Sequence, residues 1–533
     1  MYFIISHNQI RLHTLLIGDY MQKTSGSKTT PNSRTHYALK NMFSGFFITF
    51  LTLLFPFITR TVFIRTLGAE FLGINGLFTN LLGVLSFAEL GVGTAITFSL
   101  YKPLAENDRK TIQSIMRYYK KVYRVIAAFV LLSGLVLLPF LSFFTDKDNH
   151  IGSLRFYFIL YLLNSALSYL LIYKQTLLIA DQQNYTITNY SAAALFIKTL
   201  LCCGVLLWFH SFTLYLLADF LTGIIKNIFI NRKIKRTYPF LNDPAPDLPA
   251  EQLIPIKKNI KALILHKLGG ISVYQTDNII ISGFIGLVSV GLLSNYLLII
   301  NSINQFTGML FNSACAGFGN VLATEKSERQ YFLFKAYQFL GFWVYGWTAI
   351  CLYALLQPFM AVWLGKNMLL SLLTVFLIVL NYYLTGMRAI VETIKGTAGL
   401  YHNDKYVSIA QGGINFVLSL LLVKPLGIAG VYLGTIISGF LPLLLRPHIV
   451  YRNVFSVKTR YYLYDFCKYT AVVLLAGSAT CILCQLCGNF LLGMALCLLV
   501  PNLILFVVFR NTNEFQYLKA ALFQLLKEKR RNE

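Results

Sequence analysis

Three charged residues stand deep inside apolar runs long enough to cross a bilayer. Glu89 lies about twelve residues into the run 77–100, Lys198 about ten into 188–209 and Asp277 about eleven into 266–286. At 1.5 Å per residue all three fall near the midplane. A charged side chain there costs about 2.5–3.5 kcal/mol on insertion scales, which a partner, a wet cavity or an escape to the interface must offset. Arg60, in the outer third of its run, and Arg388, in the inner third, can snorkel. Glu392, one turn from Arg388, can neutralise it. Lys226 and Lys267 read as interfacial, and Asp219 as the partner of a cation on a neighbouring helix. Such a set can line a polar cavity (Arg60, Glu89, Lys198, Asp277 and Arg388), with Glu89 and Asp277 able to take Na⁺ or H⁺. The plainer reading is a set of structural ion pairs that fix helix packing.

Catalytic patterns are absent. Gly26-Ser27-Lys28-Thr29 touches on a phosphate-binding loop but lacks the upstream spacing. There is no His-Glu-x-x-His, no Gly-x-Ser-x-Gly and no pair of Cys-x-x-Cys motifs. Cys481, Cys484 and Cys487 have a metal-like spacing, yet no His accompanies them and the segment is apolar. They read as small hydrophobes on one helix face. No enzyme, no cofactor and no disulfide framework is expected.

The elements that must position these residues follow from composition. Of 533 residues, 56% are hydrophobic and 13% charged, with mean hydropathy +0.61. A soluble domain keeps roughly a quarter of its residues charged. The apolar runs are continuous and rich in Leu, Ile and Phe, and each covers ~30 Å of hydrocarbon. Backbone groups in lipid need internal partners, so the spans are helices. The expected fold class is all-α integral membrane with about fourteen spans, near 43–64, 77–100, 122–144, 155–178, 188–209, 211–230, 266–286, 291–319, 334–357, 368–393, 406–423, 426–446, 466–487 and 489–509.

The net charge of +25 does not point to nucleic acid, because the basic residues are scattered over short loops. With the N-terminus inside, the inner segments collect about 37 of the 46 Lys and Arg residues and the outer loops about five. That asymmetry places both termini in the cytoplasm. Met1 to Tyr20 is neither a spanning helix nor a convincing signal peptide, and Met21 reads as the more natural cytoplasmic start.

The chain also repeats itself. Thr59-Arg60, Phe63-Ile64 and Gly73-Ile74-Asn75-Gly76-Leu77-Phe78 are echoed by Thr276-Asp277, Ile280-Ile281 and Gly291-Leu292-Leu293-Ser294-Asn295-Tyr296. Lys174, Asp181-Gln182 and Tyr185 are echoed by Lys395, His402-Asn403 and Tyr406. Both echoes have an offset of about 220 residues, across an even number of spans, which makes a parallel repeat about an axis along the membrane normal. Arg60 and Asp277 then flank a central cleft with opposite charge. The expected organisation is a cytoplasmic segment 1–42, a six-span lobe 43–230, a Pro-rich linker 231–265, a second six-span lobe 266–446, a basic loop 447–465, two further spans 466–509 and a basic tail 510–533.

The stretch Phe71 to Phe78, then Leu85-Ser86-Phe87-Ala88-Glu89-Leu90-Gly91-Val92-Gly93, then Leu100-Tyr101-Lys102-Pro103-Leu104-Ala105 resembles the polysaccharide-transporter family of the multidrug/oligosaccharidyl-lipid/polysaccharide flippase superfamily. Thr276 to Ile281 and Ser294-Asn295-Tyr296 are similar to that family's seventh and eighth helices, and the resemblance covers roughly residues 38 to 510. It implies two six-helix bundles around a central cavity, with two extra C-terminal helices. It further implies alternating access, a bacterial cytoplasmic membrane, and an undecaprenyl-pyrophosphate-linked oligosaccharide as substrate for capsule, O-antigen or exopolysaccharide. Other polysaccharide-assembly proteins are then expected partners, beside membrane lipids. Pyrophosphate contact falls to Arg60, Lys198 and Arg388. The rivals are an exporter of drugs or of the peptidoglycan precursor on the same fold, and a membrane enzyme of polysaccharide assembly. Against the last, the outer loops are short, and His210 and His266 lie at span edges.

Overall fold

In a computed structural model the described residues are α-helical with short 3-10 turns, and contain no strand. Described are residues 31–89, 92–144, 154–181, 183–244, 246–251, 253–254, 256–257, 260, 275–398, 400 and 404–532. Side chains are described from residue 51, except at 87–88, 144, 242, 309–310, 312–317, 319–320, 323–324, 405 and 525–532. Two units are distinguished, Met1–Phe57 and Ile58–Glu533. The first is helical from Pro31; the packing below is that of the second.

Helix α1, Pro31–Leu85, is broken at Gly68, whose φ of 87° and ψ of 178° lie outside helical space. It is therefore two rods, 31–67 and 69–85. The second rod tightens into a 3-10 turn at Ser86–Glu89, where Ser86 Oγ donates to Gly83 O at 2.6 Å. Helix α2, Val92–Ala105, follows. Helix α3, Arg109–Leu137, is capped by Asp108, which accepts from the Thr111 backbone N–H at 3.1 Å and from its hydroxyl at 2.6 Å. Those bonds hold the Asp108 carboxyl below its usual range. Then come α4 (Leu154–Ile172), the short α5 (Gln175–Ala180), α6 (Asn184–Phe209) and α7 (Phe212–Thr237). The second half runs α8 (Thr276–Phe284), α9 (Leu287–Thr324), α10 (Ser327–Trp363), α11 (Leu372–Thr397), α12 (Lys405–Leu426) and α13 (Ile428–Val450). Helices α14 (Arg460–Cys487), α15 (Phe490–Phe509) and α16 (Asn513–Asn532) complete the chain.

Among the described residues, 12 helices are long and apolar enough to cross a membrane. Two of the expected fourteen spans account for the difference. The run 77–100 is divided at Ser86–Glu89 between the end of α1 and the 14-residue α2. Residues 266–274 of the run 266–286 lie outside the described residues, and what is described of it is the nine-residue α8. The fourth span ends at Ile172, so Lys174 stands beyond it rather than inside 155–178.

Each half buries its own aromatic-rich core. In the first, Tyr119, Tyr123 and Ile126 pack with Leu177 and Ile230, and Phe63, Phe78 and Phe158 with Phe212. In the second, Tyr296, Phe334, Phe342 and Tyr382 join a core that extends into α14 and α15 through Tyr469 and Phe509. The neighbours correspond. Helix α4 lies between α3 and α7, with α6 against α7; likewise α11 lies between α10 and α13, with α12 against α13. Consecutive apolar helices meet at breaks of one or two residues. Gly68, Gly286, Gly427 and Gly488 all have φ between 60° and 116°, a region glycine enters without steric cost.

The halves meet through backbone. A Cβ at Gly73 would lie 1.9 Å from Leu287 O, and one at Gly291 would lie 2.1 Å from Ala69 O. Gly73 and Gly291 are equivalent in the repeat, and so are Ala69 and Leu287. The contact is thus made twice, once from each half, as an isologous interface demands. The positive-φ breaks at Gly68 and Gly286 keep the same spacing. The two lobes are therefore related by a pseudo-two-fold, the arrangement the repeat implies.

The linker side of the first lobe is also docked. Gln113 Nε2 donates to Phe240 O, Tyr238 OH donates to Asp181, and Asp247 receives Lys121 at 3.0 Å and Arg117 at 3.6 Å. The hydrogen bond from Lys121, with the Arg117 charge, holds the Asp247 carboxyl below its usual range.

Gly73→Ala puts a methyl group into a carbonyl and is expected to cost at least about 1–3 kcal/mol. Gly204→Ala, where nothing lies within 4 Å, is expected to be neutral or slightly stabilising. Thermal unfolding of the detergent-purified protein compares them, and equal midpoints would refute the close lobe contact.

Candidate functional site

Arg60, on the first rod of α1, crosses between lobes. Its Nη1 donates to Ser294 Oγ on α9 at 2.8 Å, and Ser294 Oγ passes the chain on to Gly291 O at 2.8 Å. One residue on, Thr61 Oγ1 accepts from Trp363 Nε1 at 2.7 Å. Among the described residues Arg60 makes that one side-chain hydrogen bond and no ion pair. A guanidinium has five N–H donors, so Arg60 retains donors for an anion at the junction of the lobes. Tyr215 on α7 lies close enough to interact with its charge.

Lys198 and Asp219 pair at 2.5 Å across α6 and α7, each side chain about one-third exposed at 33% and 31%. This is the neighbouring-helix pairing expected of Asp219. Tyr215 is near both Asp219 and Arg60, so the structure brings Arg60, Lys198 and Asp219 into one polar cluster. Tyr161 extends it, donating to Asn75 Oδ1 at 2.7 Å beside Asp219.

Glu89 stands apart from that cluster, at the end of the 3-10 turn that interrupts the second apolar run. Tyr123 OH donates to its Oε1 at 2.5 Å. Tyr169 approaches the same carboxylate, and Tyr119 packs edge-on against Tyr123 with centroids 4.5 Å apart. Phenols thus satisfy the carboxylate, and among the described residues no cation pairs with it. Phenols distributed over α3 and α4 make no local motif, because Tyr119, Tyr123 and Tyr169 come together only when the two helices pack.

Asp277 opens α8 and points into the second lobe. Its Oδ2 accepts from Thr435 Oγ1 at 3.1 Å, and Thr435 Oγ1 accepts from Asn415 Nδ2 at 2.9 Å. Asp277 Oδ1 and Asn415 Oδ1 are both buried, with no hydrogen-bond partner among the described residues. Val431 O and Ser419 Oγ adjoin them, 3.4 Å apart. Oxygens from three helices, two of them orphaned, suit a hard cation such as Na⁺ or a proton on the carboxylate. Asn415, Ser419 and Thr435 went unnoticed in the sequence because they are uncharged. Polar residues recurring within the runs 406–423 and 426–446 were the available signal.

Arg388, only 8% exposed, donates to Gly439 O at 2.9 Å and to Thr385 Oγ1 at 3.3 Å. Glu392 serves other cations than the one expected. Its carboxylate takes Arg446 Nη1 and, at 3.5 Å, Lys395 Nζ. Arg446 Nε also meets Asp404 at 2.9 Å, and Lys395 meets it too. This four-charge network lies at the repeat position of Lys395 and was not foreseen. The five candidate residues therefore occupy four places, of which only Arg60 joins the lobes.

No family model matches the sequence, and no curated protein matches it. Solved structures do. The chain aligns over 88% of its length with 98% of the lipid II flippase MurJ in an inward closed conformation, at 14% identity and a TM-score of 0.61. It aligns over 79% of its length with 95% of an inward-facing multidrug resistance MATE family transporter of the MOP superfamily, at 14% identity and a TM-score of 0.59. The class is therefore defined by fold: a multi-pass helical membrane protein with the architecture of MOP-superfamily transporters and flippases.

Breaking the Lys198–Asp219 pair tests whether it is structural. Asp219→Asn and Lys198→Met are each expected to lower thermal stability by about 1–3 kcal/mol, below the 3–5 kcal/mol of a fully buried pair because both ends are partly exposed. The double variant is expected to recover much of the loss. Additive losses in the thermal midpoints would show that the two groups act separately.

Proposed function

We propose that this protein is a flippase that carries undecaprenyl-pyrophosphate-linked oligosaccharides from the cytoplasmic to the outer leaflet of a bacterial inner membrane, with both of its termini cytoplasmic. The observation that carries the reading is Arg60: half-buried at the lobe junction, bonded across it to Ser294, and with donors to spare. A guanidinium is suited to a diphosphate by geometry as well as charge. Shared architecture with a lipid II flippase supports a lipid-linked cargo, and the sequence resemblance supports an oligosaccharide repeat unit for capsule, O-antigen or exopolysaccharide.

In this reading the headgroup enters between the lobes while the polyprenyl tail stays in lipid. The lobes then rock about the backbone contact at Gly73 and Gly291. Lys198 has its charge balanced by Asp219 and Arg388 is held by Gly439, so their share in binding the diphosphate is smaller than that of Arg60. A negative interior favours outward movement of an anion by about 2.3 kcal/mol per charge per 100 mV. Asp277, with Asn415 and Thr435, is the coupling site for Na⁺ or H⁺. Occupancy there satisfies two orphaned oxygens inside the second lobe and so biases that lobe between two packings. Glu89, bonded by phenols and paired with no cation among the described residues, is the second candidate for a coupled proton. The cargo hands on to other proteins of polysaccharide assembly.

Proteoliposomes loaded with a fluorescent undecaprenyl-pyrophosphate oligosaccharide test the proposal. Arg60→Gln is expected to slow flipping at least tenfold, about 1.4 kcal/mol of binding, and Asp277→Asn to remove the response to Na⁺ and pH gradients. In cells, deletion of the gene is expected to leave lipid-linked oligosaccharide in the cytoplasmic leaflet. Normal carrier lipid in the deletion strain, with sensitisation to drugs instead, would replace this reading by a drug exporter on the same fold.

A further inference from the structure

The first lobe holds a cavity that belongs to neither the Arg60 cluster nor the Asp277 site. It lies among the charged ends of α3, α4 and α7, with a volume of about 410 Å³. Lys120, Arg124, Lys174, Arg232 and Lys235 line it, and no acidic residue does. Among the described residues none of the five makes a salt bridge. Burial, with the charges of Lys235 and Lys120 beside it, lowers the affinity of the Lys174 amine for its proton. Lys174 is half-buried and the other four are exposed around the mouth, so the five present an open cationic surface that draws an anion.

The internal repeat sharpens the point. Lys174 is the counterpart of Lys395, and Lys395 is neutralised by Asp404 and Glu392 from its own chain. Among the described residues the first lobe supplies no such carboxylate to Lys174. Asn231 also lines the cavity, fixed by its Nδ2, which donates to Leu171 O at 3.0 Å. Solvated loop cations are the ordinary meaning of positive residues at a membrane surface, but they do not account for the convergence of five, from three helices, on one cavity. Two lining residues, Leu170 and Ile228, are apolar and well exposed, at 41% and 38%, on helices that cross the membrane.

We propose that this cavity binds the headgroup of an anionic glycerophospholipid, with its phosphate among the five cations and the acyl chains leaving along Leu170 and Ile228. Basic pockets at the charged ends of transmembrane helices take such headgroups. Every lining residue belongs to the first lobe, so the site stays intact whichever way the lobes move; a cargo that must cross needs a site between them. Tyr123 lines the cavity with its ring and gives its hydroxyl to Glu89, which places the lipid one side chain from the interrupted run. The inference does not depend on the cargo proposed above.

Native mass spectrometry of the full-length protein, titrated with dioleoyl-phosphatidylglycerol or dioleoyl-phosphatidylcholine, tests it. Phosphatidylglycerol is expected to be retained at least tenfold more tightly. That preference is expected to vanish in the double variant Lys174→Gln/Arg232→Gln and to survive in Lys233→Gln, on the same helix but outside the cavity. Lys120→Gln/Arg124→Gln, which alters the cavity from α3, is expected to give the same loss and stands in should the first pair fail to fold. Equal retention of the two lipids, or undiminished preference in the cavity variants, would overturn the proposal. Displacement of the lipid by millimolar glycerol 1-phosphate or inorganic phosphate would overturn it as well, making the cavity a site for soluble phosphate.

Discussion

Two backbone segments touch with no side chain between them, and the rest of the molecule is arranged around that fact. Gly73 rests on the carbonyl of Leu287 and Gly291 on that of Ala69. Because each contact is the image of the other, the lobes have one symmetric way to meet. In lipid no hydrophobic effect drives helices together, and close backbone approach at small residues is a main source of attraction. It is this approach that brings Arg60 within 2.8 Å of Ser294 and Thr61 within 2.7 Å of Trp363. A methyl group at either glycine would move both polar contacts out of range.

Symmetry of backbone coexists with opposition of charge. The first lobe carries Arg60 at the junction and an unneutralised basic cavity. The second turns Asp277 inward onto Asn415 and Thr435, and ties Lys395, Arg446, Asp404 and Glu392 into a closed network. One lobe is thus disposed to hold anions, the other to hold a cation and to keep its own charges paired.

Much of this was legible in the sequence. Apolar length and loop charge marked the spans, the echo of Gly73 by Gly291 marked the repeat, and Asp219 was expected to find a cation across a helix, which proved to be Lys198. Ranking residues by charge and depth failed in two ways. It missed partners that carry no charge: the Tyr123 hydroxyl on Glu89 and the Asn415 and Thr435 side chains on Asp277 come from helices far apart in the chain. It also assumed helical continuity, so Glu89 read as the middle of a straight span rather than the end of a 3-10 turn. Nearest-neighbour logic sent Glu392 to Arg388, one turn away, but Arg446 is a better partner because it comes from α13 and reaches Asp404 as well.

The glycine breaks bear on how the chain is made. At Gly68, Gly286, Gly427 and Gly488 consecutive apolar helices are separated by a residue or two. Connections that short leave no room for one helix to settle in the bilayer while its successor waits in water. At Gly427 and Gly488, where two full-length spans are joined, the pair is therefore expected to enter the bilayer together during synthesis. The unit of insertion there is accordingly two helices, and an early ribosomal pause within such a pair would strand an apolar segment rather than a finished span.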